Sequence, residues 1–515
     1  MDNWKIVLVV MVCVCNAGFA ATGKSSAPAP STFNVRDYGA KGDGISMDSP
    51  AINQAIAAAA EKGGGTVLFP SGIYLSASIH LKSHITLLLD AGAVIMAADY
   101  APGSGYDEPE TALNDTWQDF GHSHFHNSLI WGEYLTDIGI TGTGMINGRG
   151  LVRNNGKGDK TPNKSISLKL CRNVLIRDIT IVHGGWFGIL ATGVDNLTID
   201  NIKEDTNRDG MDLDCCQYVT VSNCKVNSPL DDGICLKSSF ALNRPCSTEN
   251  VTITNCIVSG YEEGSFLDGT YKRTPLTNHL DLDPTGRIKF GTESNGGFKN
   301  ITISNCVFDY CRGLAIETTD GAVIEDIAIS DITMRDVINS PIYLRIGARM
   351  RGPAGAVPGV LRRIMISNLV VYNADPRFSS IISGIAGHKI EDIHLHDIVI
   401  YTKGGGTAEQ ARIIMPEVDK EYPEPERHGI TSAYGFYIHY ADQVDLHNIK
   451  IVAETADLRP AFVLDNVHGI AINQLRIVNP APSANFSMRQ VNDFSISQSS
   501  PTHDLKLNHT DHKTF

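Results

Sequence analysis

The sequence predicts an all-β chain wound as a single parallel β-helix, with a helix capping its N-terminal end. Three observations carry that expectation. A six-residue pattern, apolar-x-apolar-x-Asn/Asp-apolar, recurs ten times between Val174 and Leu475. Alternation within each copy marks a short strand with one buried face, and recurrence at coil length marks a solenoid. The composition, with 48 glycines and many Asn and Asp residues, favours turns and strands over long helices. Finally, the Asn/Asp slot puts a turn-former at one point of every copy, where its side chain can bond backbone and tolerates a left-handed conformation.

Taken from the N-terminus, Lys5 is followed by an apolar stretch from Ile6 to Cys15 and by the small residues Ala17-Gly-Phe-Ala-Ala21. This pattern predicts a cleaved signal peptide over 1–20, too short to span a membrane, and hence a secreted or periplasmic chain. A lipid anchor at Cys13 or Cys15 is disfavoured by the valine before each. Residues 21–32 form a flexible leader. Ser49-Pro50 opens a helix through the alanine-rich stretch Ala51 to Ala60, and Gly63-Gly-Gly65 ends it. That helix would cover the open end of the stack. Thr66-Val-Leu-Phe-Pro70, Gly72-Ile-Tyr-Leu75 and His84-Ile-Thr-Leu-Leu-Leu89 read as the first coils.

The ladder proper runs from Val174-Leu-Ile-Arg-Asp-Ile179 through Val219-Thr-Val-Ser-Asn-Cys224 and Ile364-Met-Ile-Ser-Asn-Leu369 to Ile470-Ala-Ile-Asn-Gln-Leu475. Starts are 22 to 37 residues apart, except for longer gaps before Ile301 and Val444. Those gaps are expected to be loops that build a groove on one face. One domain is expected over 33–480, followed by a polar C-terminal tail over 481–515.

The net charge of -14 makes nucleic acid and anionic membrane poor partners. Of 11 cysteines, two lie in the signal stretch, so nine remain and at least one has no intrachain partner. Cys224, Cys256 and Cys306 share one slot of the repeat, which suits small buried apolar residues. Cys215-Cys216 would face opposite sides of a strand. No CxxC pair occurs, and no structural metal is implied.

Asp209, in Asn207-Arg-Asp-Gly210, precedes Asp231-Asp232, in Leu230-Asp-Asp-Gly233, by about one coil. On a β-helix that spacing stacks three carboxyls on neighbouring rungs. Carboxyls crowded together cannot all ionise cheaply, so one keeps its proton while others activate water, as glycoside hydrolysis requires.

These motifs, with the stretches Phe33 to Gly44 and Gly63 to Tyr74, resemble the polygalacturonase family of glycoside hydrolases (family 28), whose members are right-handed parallel β-helices. The likeness covers about Phe33 to Leu475. It implies that Asp231 is the general acid, and that Asp209 and Asp232 hold and deprotonate water across a wider gap than in a retaining enzyme. Inversion follows, with no cofactor and no metal. A pectic polysaccharide or oligosaccharide would be the substrate of a monomer, attacked internally or from chain ends, with rhamnogalacturonan fragments among the candidates.

Two departures stand out. Where most members carry Gly-His-Gly, this chain has Phe290-Gly-Thr-Glu293-Ser294, similar to a Gly-Ser-Glu-x-Ser variant in one branch, which gives Glu293 a substrate-orienting or proton-sharing role. Where the family carries Arg-Gly-x-Arg-Ile-Lys, this chain has Arg312-Gly-Leu-Ala315-Ile-Glu317, so the uronate-binding Arg and Lys are replaced. The string Arg287-Ile-Lys289 lies before the Gly-Thr-Glu segment rather than after it and reads as coincidence. Arg345, Arg349 and Arg351 are alternative cations, Arg345 being the chosen substrate-binding candidate beside Lys237. His183 and Trp186 resemble a segment near a sugar subsite, with a buried core role for Trp186 an equal alternative. His122, His124 and His126 alternate on a possible strand, and are read as surface or groove-lining rather than as metal ligands. Competing classes are a lyase or epimerase using calcium-bound carboxylates and an Arg or Lys base, and a non-catalytic carbohydrate-binding or adhesive β-helix.

Overall fold

A computed structural model describes residues 31–113, 115–153, 160–277 and 283–515. The expected signal peptide and the leader as far as residue 30 lie outside the described residues. Among the described residues, 35 strands join into one sheet that winds as a right-handed parallel β-helix, the hand that right-twisted strands favour. No described helix is long and apolar enough to cross a membrane.

The earlier coils contribute three short strands each, and from Phe298 onward two of the three merge into one long strand, as in Phe298–Asp309 and Val323–Arg335. Phe187–Thr192, Asp195–Asp200 and Lys203–Asp205 make one coil, and Asp209–Asp214, Gln217–Ser222 and Lys225–Asn227 make the next. Ile189 pairs with Met211, Leu197 with Val219 and Glu204 with Val226. The first position of the repeat is in register from Val174 to Ile470, through Val251, Ile327 and Ile393. These side chains are buried in one continuous apolar core, each contributing about 1.5–3 kcal/mol. Cys224, Cys256 and Cys306 are buried in the same core, and all nine described cysteines are free thiols.

The Asn/Asp slot is left-handed in all ten copies, with φ from 52° at Asn448 to 68° at Asp178. Its side chains bond from coil to coil: Asn201 donates to Asp178 at 2.8 Å, Asn368 to Asp331 at 3.2 Å and Asn448 to Asp397 at 2.6 Å. An amide or carboxylate serves here because it relieves the left-handed strain locally and pairs with its copy one coil away.

The helix Ser49–Glu61 lays Ile52, Ala55, Ile56 and Ala59 on the first coils, all four fully buried. Gly64, with φ of 120°, ends the segment where a Cβ would lie 2.4 Å from the His84 carbonyl oxygen.

The far end differs from expectation. Residues 481–515 carry two strands, Phe486–Ser497 and Leu505–Thr514, and the second runs antiparallel to the first. Phe515 stacks on Phe486 at 5.1 Å, and Phe486 on Phe462 at 5.0 Å. A closing strand exposes one whole face, so its sequence is mostly polar and reads as a tail, although its ladder hydrogen bonds and Phe515 seal the last coil.

Candidate active site

Asp209 opens the strand Asp209–Asp214, and Asp231 and Asp232 lie just before the strand Ile234–Ser238. Met211 pairs with Ile234, and the Gly210 N–H donates to the Asp232 carbonyl at 3.0 Å, which sets the two acidic turns side by side. Oxygens of the three carboxyls lie within 4.8 Å of one another.

The three carboxyls differ in charge. Asp232 is 2% exposed; its Oδ1 accepts from Arg287 Nε at 2.9 Å and its Oδ2 lies 3.3 Å from Lys289 Nζ. Burial pushes this carboxyl up, but Lys289 and then Arg287 outweigh burial and hold it below the ordinary range. Asp209 is also buried, and desolvation together with Asp212 and Asp231 raises it well above that range. Asp231 is the most open, with its side chain 24% exposed. Burial raises it, Arg208 opposes the rise, and Asp232 adds to it. Asp209 and Asp231 are thus pushed up and Asp232 is held down, so the neighbouring charges set the three carboxyls apart.

Arg208 links two predicted residues. Its Nη2 donates to Asp231 Oδ2 at 2.5 Å, and its guanidinium lies 4.0 Å from the centre of the Trp186 ring. Trp186 is buried in a small cluster with Phe125, Phe187 and Leu190. Its face is thus a platform for Arg208, and the buried role is the one the structure shows. His183 stands apart, with Nδ1 2.9 Å from Glu263 Oε1.

Arg287-Ile-Lys289 is no coincidence. Both cations are buried and reach Asp232. Lys289 pairs in register with Ala315 of the following rung, so the position where the family's Arg is missing lies directly beneath a lysine. Sequence order misleads here because side chains on adjacent rungs share one column, and strand alternation already puts residues 287 and 289 on a single face. Glu317 is fully buried, and desolvation lifts it to about 8 against the pull of Lys289.

Arg287 lies just before the strand Ile288–Ser294, and the segment 405–435, between two long strands, brings Tyr422, Glu424 and Glu426 onto these cations. Arg287 Nη2 donates to Glu424 Oε1, and Arg312 Nη1 contacts Glu424 Oε2 at 2.9 Å and Glu426 Oε1 at 2.7 Å. The Tyr422 hydroxyl accepts from Thr292 Oγ1 at 2.8 Å and from Lys289 Nζ at 3.3 Å.

Glu293 is buried and held well below the usual carboxylate range, since Lys237 and the guanidinium groups of Arg351 and Arg349 outweigh desolvation. Lys237 Nζ lies 3.0 Å from Glu293 Oε2 and 3.7 Å from Asp212 Oδ2. Arg351 also pairs with Glu293. Arg349 makes a bidentate contact, but with the protein's own Asp320. Arg345 is 1% exposed and holds Ser383 Oγ at 2.7 Å and the Glu417 carbonyl at 2.7 Å, so it anchors the 405–435 segment and is not offered to a ligand.

The three histidines diverge. His122, in the short helix Phe120–Ser123 rather than a strand, is buried 2.8 Å from Asp212. His124 is also buried and stacks on Phe120, and only the half-buried His126 retains an open edge, 3.1 Å from Glu133. Donor atoms of Asp119, His122 and Glu293 lie within 4.8 Å of one another. Lys237, Arg351 and Asp212 already occupy them.

Residues 32–306 match the family described as rhamnogalacturonase A/epimerase, pectate lyase-like. The chain is 24% identical over 322 residues to a probable polygalacturonase of Vitis vinifera, covering 58% of this chain and 60% of that protein. It is 52% identical over 308 residues to plasmin and fibronectin-binding protein A of Streptococcus pneumoniae, covering 54% of this chain and 39% of the relative. The crystal structure of an exopolygalacturonase from Thermotoga maritima superposes with a TM-score of 0.59 at 18% identity, over 82% of this chain and 91% of that one. At that identity the structural likeness shows the fold alone.

Proposed function

This chain belongs to the rhamnogalacturonase A/epimerase, pectate lyase-like family, and we propose that it is an exported glycoside hydrolase that cleaves a pectic polysaccharide by single displacement with water. The observation that carries this reading is the division of labour among the aspartates. Asp232 is ionised by Lys289 and Arg287, whereas Asp209 and Asp231 are raised.

Asp231, the most open of the three, donates its proton to the glycosidic oxygen as the bond to the anomeric carbon breaks. Water attacks the same carbon and passes its proton to Asp232, with Asp209 sharing a hydrogen bond and the proton of the pair. Both Asp232 oxygens are engaged by cations, which makes this carboxylate a poor nucleophile but a fixed base. Inversion is expected on that ground. Glu293 and Lys237 are buried and paired with each other, so their part is to position the site from within rather than to contact substrate.

A lyase or epimerase would need an unpaired, accessible Lys or Arg base; Lys289 and Arg287 are buried and paired, and the more open Arg208 is held by Asp231. The test is incubation with rhamnogalacturonan and homogalacturonan oligosaccharides, following product configuration by proton NMR. Saturated products with inverted anomeric configuration are expected; unsaturated uronate products, or retention, would overturn the proposal. The streptococcal similarity favours a second reading, a binding role at a surface, which saturable plasmin or fibronectin binding without glycan cleavage would establish.

A further inference from the structure

We propose that the strap formed by Tyr422, Glu424 and Glu426 sets substrate preference: Glu424 occupies Arg287 and Arg312 in place of a substrate carboxylate, so the subsite beside Asp232 takes an uncharged sugar lying on Tyr422 rather than a uronate. This rests on the hydrolase reading for the placement of the scissile bond.

The strap comes from the segment between the strands Ile390–Gly404 and Phe436–Thr455. Pro423 and Pro425 bracket Glu424 and limit its backbone freedom. Glu424 is 6% exposed. One of its oxygens faces Arg287 and Lys289, the latter at 3.5 Å, and the other faces Arg312 at 2.9 Å. Glu426 takes a second contact with Arg312. Arg287, Lys289 and Arg312 therefore meet Asp232, Glu317, Glu424 and Glu426 within one buried cluster. Recognition of a uronate needs a guanidinium or ammonium with donors directed at the ligand. Here those donors point at the protein's own carboxylates, apart from Arg287 Nη1, which is buried and closed to a ligand, and a further anion would enter a low-dielectric site already balanced or negative.

What the strap leaves open is aromatic. The Tyr422 residue is 44% exposed although its hydroxyl is pinned by Thr292 and Lys289, so its ring is held as a rigid wall. Lys289 Nζ lies 5.1 Å from the ring centre on the protein side. An apolar pyranose face, above all that of a deoxy sugar bearing a methyl group, gains most from such a surface.

The experiment measures binding by calorimetry in an Asp231→Asn background, where cleavage does not intervene. The probes are a galacturonate trimer and an alternating rhamnose–galacturonate tetrasaccharide. The background protein is expected to prefer the alternating oligosaccharide by about tenfold or more. Adding Glu424→Gln should tighten the galacturonate trimer by about tenfold and erase the preference, while Tyr422→Ala should weaken only the alternating oligosaccharide, by about tenfold. Melting curves confirm folding, and Tyr422→Ala keeps the test alive if Glu424→Gln does not fold. An unchanged preference in both variants, or a background protein that prefers the all-uronate trimer, overturns the proposal. Cleavage by the unmutated protein is assayed separately. A preference that shifts as expected without any cleavage retains the strap and removes the hydrolase, and cleavage with an unshifted preference does the reverse.

Discussion

Lys289→Met removes the cation that most depresses Asp232 while keeping side-chain volume. At 3.3 Å from Asp232, with an effective dielectric of about 20, the charge pair attracts by about 5 kcal/mol. Desolvation of the ammonium offsets part of that gain, and breaking one side of a buried pair costs about 3–5 kcal/mol. Glu317, already lifted to about 8, can stay protonated and keep the loss near the lower end. At about 1.4 kcal/mol per pKa unit, a loss of about 3 kcal/mol felt at Asp232 raises its folded value by about two units. The folded value in the unmutated protein is depressed, so the stabilisation it contributes is present above the unfolded value near ~3.9 and is lost as pH falls through the folded value. The variant loses that stabilisation, and its base must ionise at higher pH. The acid limb of kcat/KM on a pectic oligosaccharide should therefore move up by about two units, with a fall of about 3 kcal/mol in urea unfolding at pH 7. Lys289→Arg should hold both near their original values. An acid limb that stays within about half a unit, with stability changed by less than about 1 kcal/mol, would refute the assignment of Asp232 as a base ionised by Lys289.

Other outcomes can be checked alongside. Asp209→Asn, Asp231→Asn and Asp232→Asn should each lower turnover by about 10³-fold or more, with native circular dichroism retained because the apolar ladder is untouched. Arg208→Gln withdraws the guanidinium that opposes the rise of Asp231; the basic limb of kcat/KM, which reports the acid, should shift to higher pH by about one unit, and a shift to lower pH would exclude Asp231 as the proton donor. Phe486→Ala removes a fully buried ring from the stack between Phe462 and Phe515 and should cost about 3–5 kcal/mol in chemical denaturation. An effect below about 1 kcal/mol would mean that the terminal strand pair does not seal the core.

How far the sequence could be read depended on range. Periodicity is a local property, and in a solenoid the neighbour in space is the same slot one period away, so Val174, Leu197 and Val219 could be stacked from spacing alone, as could Asp209 beside Asp231 and Asp232. The capping helix was legible for the same reason, since Pro50 and Gly63 to Gly65 bound it locally. The C-terminal cap was not, because Leu505–Thr514 buries so little of its surface that alternation is faint. Arg287 and Lys289 were visible as a pair on one strand face, but their target depended on which rung lay beside them.

The sequence by itself determined the coil, its left-handed Asn and Asp ladder and the meeting of three aspartates, because each follows from a repeat that sets its own register. Only the tertiary structure decided the charge of those aspartates. Lys289 reaches Asp232 from the following coil, and Glu424 arrives from a loop roughly 190 residues further along the chain. No period encodes where such a loop returns, and in a buried site the ionisation of a carboxyl is set by the few charges within about 4–6 Å of it.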